Sequence, residues 1–135
     1  MRLRLALAAA ALLAATTAPV SAQAGPNLTG NWVNPHHSVV VRIAQCGDRL
    51  CGTVVRATPE AAADARDGGY PSLVGLQLLS GYRAVGQGRW QGRVLVPDLG
   101  RTFASHIDMT DANHVKVAGC LVGQYLCKSQ IWQRD

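Results

Sequence analysis

Aromatic residues are scarce in this sequence: one phenylalanine, three tyrosines and three tryptophans among 135 residues. A core drawn from it must rest on Val, Ile, Leu and Ala. Lysine is scarcer still, with only Lys116 and Lys128 among thirteen basic residues. Like charges never run together, and the arginines are scattered from Arg42 to Arg134. Recognition of nucleic acid needs clustered cations with aromatic platforms, so no nucleic-acid partner is expected. No stretch reaches the roughly 20 apolar residues of a membrane-spanning helix, and no transmembrane anchor is expected. The C-x-x-C spacing is missing, which removes the zinc-ribbon and thioredoxin-like readings of the four cysteines. No G-x-S-x-G occurs either; "LLSGY" around Ser80 lacks the leading glycine.

What is present starts with "MRLRLALAAAALLAATTAPVSAQAG". Arg2 and Arg4 precede an apolar run, Leu5 to Ala15, too short to span a bilayer. Small residues follow in two frames, Val20-Ser21-Ala22 and Ala22-Gln23-Ala24. This pattern predicts a secretory signal peptide over residues 1–24, cleaved after Ala22 or Ala24. No cysteine lies near those sites, so export to the periplasm or beyond is expected without lipidation. The remaining domain, 25–135, suits one small core. Loss of Arg2 and Arg4 lowers the formal charge from +5 to +3.

Export decides how the cysteines are read, because thiol pairs become disulfides in an oxidising compartment. "CGDRLC" and "CLVGQYLC" each leave room for a turn, so Cys46–Cys51 and Cys120–Cys127 are the expected staples. Four cysteines allow three connectivities, and spacing alone does not exclude the longer ones. Loops this short contribute about 2 kcal/mol each.

The body repeats one motif: about seven residues of β-branched alternation, then Gly, Pro, Asn or Asp. The runs fall at 28–33, 38–44, 50–57, 75–83, 89–96, 101–109, 114–120 and 125–134. Short strands at this spacing predict an all-β fold. Thr58 to Tyr70 differs, with an N-cap, an N1 proline, alanines and Gly68-Gly69, and predicts a short helix or loop. In "RTFASHIDM" one face carries Phe103, Ser105, Ile107 and Met109, the other Ala104, His106 and Asp108. A loop Asp111-Ala112-Asn113 sets Met109 opposite Val115, Ile107 opposite Val117 and Asp108 opposite Lys116, with Asn113 in the left-handed region. Short links between neighbours make the sheet antiparallel and up-and-down. Eight such strands protect their edges best by closing into a barrel, whose interior is either filled or holds one small ligand.

Gly30 and Trp32 share a face of the first run, as do Trp132 and Arg134 of the last. Closure would lay the Arg134 guanidinium across an indole. This resembles the G-x-W strand and closing arginine of the calycin superfamily, the lipocalins and their relatives. The chain also resembles the bacterial family called domain of unknown function 2147. The carriers are Gly30-x-Trp32, "VVRIAQCGDRLCG", "SLVGLQLLSGYR", "RWQGRVLVPDLGRTF" and "GCLVGQYLCKSQIWQR". The resemblance implies a secreted protein with a lipocalin-like barrel and supplies no activity. The chain departs from the family pattern between Asp64 and Ser72, where a longer loop is usual, and at Leu95-Val96-Pro97, where Tyr-Asp-Pro is usual.

Chemistry-bearing residues are dispersed. Ser105 and His106 point to opposite faces, which argues against a triad with Asp108. His36, His37, His106 and His114 read as surface residues without a shared metal, and Asp48, Asp67 and Asp98 as turn formers. No cofactor and no metal are expected. The favoured function is non-enzymatic binding of a small apolar ligand in the cell envelope, lined by Val39, Val41, Ile43, Leu78, Trp90, Val94, Phe103, Ile107 and Val117. The alternative is a filled barrel that docks another envelope protein through an apolar patch around Leu76, Leu79 or Leu95. An enzyme using the histidines and Asp108 ranks third.

Overall fold

The computed structural model describes residues 10–17 and 26–135. The expected leader and its cleavage sites fall mostly outside the described residues; residues 10–17 carry no regular secondary structure. Beyond them run β1 (Gly30–Val33), β2 (Val39–Cys46), β3 (Arg49–Ala57), β4 (Gln77–Gly86), β5 (Arg89–Val96), β6 (Arg101–Asp111), β7 (His114–Val122) and β8 (Tyr125–Arg134). One helix, α1 (Pro59–Asp67), joins β3 to β4, and a 3-10 turn (Pro97–Leu99) joins β5 to β6. Every strand is antiparallel to the next and β8 returns to β1, closing the barrel. This is the up-and-down architecture that the alternation predicts.

The barrel has two unlike ends. Its lower end carries the tight turns at 47–48, 87–88 and 112–113; its upper end carries residues 34–38, α1, the 3-10 turn and the β7–β8 turn. The lower half is packed, with Trp32, Val41, Ile43, Val54, Leu79, Tyr82, Ile107 and Val115 all at 2% exposure or less. Leu79 therefore belongs to the core: Gly52 opposite it lacks a side chain, and an added Cβ there would stand 2.8 Å from the leucine. Leu76 and Leu95 are half-buried against the same core. The surface patch expected around these three leucines is thus not formed: Leu76 precedes β4, and the β3–β4 ladder shifts register on either side of Gly52, so that the consecutive Leu78 and Leu79 are both buried rather than one in and one out.

The β1–β8 seam pairs only Trp32 with Arg134 and Val33 with Gln133. So short a ladder needs side-chain support. The Arg134 guanidinium lies 4.3 Å from the Trp32 ring centroid. It also donates to three backbone carbonyls: Thr29 from Nη1 (3.0 Å), Asn27 from Nη2 (3.1 Å) and Ala112 from Nε (3.0 Å). Trp32 Nε1 donates to the carbonyl of Leu28 at 2.9 Å. Gly30 is required here, since a Cβ would approach Arg134 Nη1 to 2.7 Å and its φ is +128°. The first and last strands are thereby latched across the lower end.

Tyr82 crosses this floor. Its hydroxyl donates to Ser105 Oγ at 2.7 Å, and both residues are buried. Burial holds the phenol well above its ordinary pKa, so it remains a neutral donor. Tyr82→Phe is expected to cost about 1–2 kcal/mol in urea unfolding by stranding the Ser105 hydroxyl. The double replacement Tyr82→Phe with Ser105→Ala is expected to recover part of that loss. A neutral single variant would show that the hydroxyl pair adds nothing to the floor.

Cys46–Cys51 and Cys120–Cys127 are both bonded and staple the β2–β3 and β7–β8 hairpins. The β6–β7 register has the expected pairs Met109–Val115, Ile107–Val117 and Asp108–Lys116. The turn itself differs. Asn113 does not take a positive φ. Instead Asp111 Oδ1 accepts from the Asn113 amide (2.8 Å), and the ladder slips between Met109 and Asp111. That bond, followed by the His114 ring, holds the Asp111 carboxyl below the usual carboxylate range.

Candidate ligand-binding cavity

Above the packed floor the barrel is hollow. A cavity of about 710 Å³ reaches the surface at the upper end, within the size range of small-molecule sites. One flank is α1. Thr58 caps it by accepting from the Ala61 amide (3.2 Å), and Pro59 supplies the first turn. Its Ala61 and Ala65 turn towards the cavity, and its C-terminal Gly68 is seated against Pro97. A Cβ on Gly68 would fall 1.6 Å from the Pro97 carbonyl oxygen, so only glycine allows this approach. The helix and the 3-10 turn form one side of the mouth together.

Strand alternation fixes which side chains face inward, and height along the barrel divides them. Val39, Leu78, Val94, Phe103 and Val117 border the cavity. Val41, Ile43 and Ile107 lie lower on the same inner face, inside the packed floor. Trp90 is near the lower end, beside a separate depression of about 320 Å³ lined also by Leu28, Leu50 and Tyr82. Trp32 is wholly buried below, while Trp132 borders the cavity as its floor.

The last strand supplies the feature that composition hides. Leu126, Lys128, Gln130 and Trp132 alternate on β8 and all line the cavity. They descend from an exposed leucine at the rim to an indole at the floor. Gln130 Oε1 accepts from Trp132 Nε1 at 3.0 Å, fixing both side chains. Counting back by twos from Trp132 would have placed all four inward, but their mixed polarity conceals the alternation. Leu99, Leu121, Val122, Tyr125 and Leu126 are the large exposed apolar groups around this end.

The outer face of β5–β7 carries a cluster of charged groups. Arg89 clasps Asp108 through two bonds, 2.5 and 3.0 Å, and this guanidinium holds the carboxyl below its ordinary pKa. Asp108 also stands opposite Lys116, as the register requires, and 3.7 Å from His106. His106 Nδ1 lies 2.9 Å from Gln124 Oε1 and 4.0 Å from Cys120 Sγ, whose sulfur is already committed to the disulfide. His106 and His114 are not neighbours: the first is level with Ala118, whereas the second pairs with Asp111. Ser105 faces inward to Tyr82 while His106 faces out, so these two cannot act on one substrate atom.

Residues 30–134 match the family described as "Uncharacterized protein conserved in bacteria (DUF2147)". A comparison with curated proteins returns no match. Among solved structures, the fold is similar to protein HP1028 from Helicobacter pylori, described as belonging to the lipocalin family. That likeness has a TM-score of 0.64 at 13% identity, over 81% of this chain and 83% of that one, and concerns the fold alone. A lipocalin-like barrel and a family match over nearly all of the described domain agree: the chain belongs to the bacterial domain of unknown function 2147 family.

Proposed function

We propose that the protein is an exported, non-enzymatic binding protein of the bacterial envelope that holds a small, mainly apolar molecule in the upper half of its barrel. The observation that carries this reading is the 710 Å³ cavity with Val39, Leu78, Val94, Phe103 and Val117 on its walls. Burial of apolar surface against such walls is worth about 25 cal/mol per Å² before ordering costs. The N-terminal leader pattern and the two disulfides support the envelope location.

The protein purified from periplasm is expected to carry a small-molecule adduct in native mass spectrometry. Val117→Trp, which projects an indole into the cavity, is expected to abolish it while the far-ultraviolet circular dichroism persists. Absence of any adduct, with no saturable uptake of apolar probes, would count against the reading. The exposed rim residues Leu121, Val122, Tyr125 and Leu126 favour a second reading, docking of another envelope protein at the mouth. Under it, Val117→Trp leaves capture of that partner intact, and Leu121→Asp with Leu126→Asp removes it.

A further inference from the structure

We infer that the ligand is an amphipathic monoanion whose charged head is met by Lys128 and whose apolar body extends down to Trp132; this rests on the binding reading above. Lys128 is the sole cation among the residues that line the cavity. Its position on the last strand is fixed by alternation with Gln130 and Trp132, so its stem belongs to the wall rather than to the outer surface. Among the described residues no hydrogen bond or ion pair engages its ammonium group. Opposite it on β7 is Gly119, which presents no side chain.

In the empty cavity water solvates this ammonium at no cost. A wholly apolar ligand would displace water on the cavity side of this exposed ammonium and offer it no partner, which lowers affinity. An anionic head removes the conflict by forming a charge-assisted hydrogen bond in a partly desolvated site. Escape of the ammonium to bulk water is the competing outcome. Gln130 does not take its place for a charged head, because its Oε1 accepts from Trp132 Nε1 and its remaining NH2 group is an uncharged donor.

Geometry sets the rest of the ligand. Lys128 and Trp132 are four steps apart along the strand, about 13 Å at the usual rise. Over that depth the facing walls are Leu78, Val94, Phe103 and Val117, which accept only apolar surface. The other charges at the cavity are the carboxylates of Asp64 on α1 and Asp98 in the 3-10 turn, neither ion-paired with Lys128. Two carboxylates and one ammonium border the same cavity; the carboxylates disfavour a second negative charge on the ligand, so a single anionic group is selected.

Anilinonaphthalene sulfonate and N-phenylnaphthylamine share one apolar skeleton, and only the first carries an anionic group. The wild-type protein is expected to bind the sulfonate about tenfold more tightly than the neutral probe, and Lys128→Met to erase that preference by weakening the sulfonate alone. Lys128→Arg should retain it. Arg93→Met, on the outer face, should leave both affinities unchanged and thereby exclude adsorption to surface guanidinium groups. Lys128 is exposed, so the variants are expected to keep the wild-type melting temperature. If both probes bind equally, or Lys128→Met leaves their ratio intact, the anion inference is overturned while the cavity reading stands. If neither probe binds, or Val117→Trp affects neither, both fail.

Discussion

Arg134→Ala is expected to lower the unfolding free energy by about 3 kcal/mol, a large share of the roughly 5–15 kcal/mol that holds a small domain together. The loss is large because the closing seam has little else. β1 and β8 share two paired positions, whereas β7 and β8 pair from His114–Gln133 to Val122–Tyr125. One guanidinium supplies three bonds of 3.0 to 3.1 Å to carbonyls on both sides of that seam. It adds a cation–π contact at 4.3 Å, worth about 0.5–2 kcal/mol depending on exclusion of water. Part of the group is exposed, so these contributions do not sum in full.

Arg134→Lys keeps the charge but not the planar fork, and is expected to retain about half of the stabilisation. Urea unfolding followed by far-ultraviolet circular dichroism separates the two variants without relying on Trp32 fluorescence, which the substitution itself would alter. A loss below about 0.5 kcal/mol for Arg134→Ala, the size of an ordinary surface change, would mean that the backbone ladder closes the barrel alone.

Gly68→Ala is the second large effect, and its sign is the informative part. Gly68 has φ −84°, a conformation any residue adopts. On backbone entropy alone, alanine there would stabilise by about 0.4–1 kcal/mol. The methyl group would instead meet the Pro97 carbonyl oxygen at 1.6 Å, a backbone atom with no side-chain freedom to yield. Overpacking of this kind costs about 1–3 kcal/mol, so net destabilisation of about 2 kcal/mol is expected. The strain relaxes most easily by lifting α1 from the 3-10 turn, since this contact joins two elements that both flank the cavity mouth. Amide hydrogen exchange should therefore quicken at Gly68 and Tyr70, whose N–H groups bond back to Ala65, while the floor around Ile107 stays protected. Stabilisation, or exchange unchanged along α1, would show that the helix is not seated as described.

Much of the architecture was legible because strand alternation and turn chemistry are local. The β6–β7 pairing followed from Val115 and Val117 alternating against Ile107 and Met109. The wrong assignment of Asn113 followed from the same pattern, which cannot tell a left-handed residue from an Asp111 side chain bonding the turn. The latch of Trp32 by Arg134 was readable because both ends of the barrel sequence carry an indole with matching parity.

The cavity was legible only by face. Parity groups Val39 with Val41 and Ile43, and Phe103 with Ile107. It does not say at what height the floor ends and the hollow begins. That boundary depends on where Trp32, Trp132 and Tyr82 converge from distant strands, which no local pattern records. Arg89 beside Asp108 was hidden for a related reason, since the β5–β6 register sets the pair and neither residue's own run announces it.

A latched, packed floor beneath a cavity that takes a ligand should respond unequally to that ligand along the barrel axis. Methyl-resolved NMR during titration with N-phenylnaphthylamine reads both halves at once. Saturable shifts are expected at Leu78, Val94 and Val117, with Ile43 and Val115 unmoved. No saturable shift, or shifts confined to the exposed Leu121 and Leu126 rim, would contradict this arrangement.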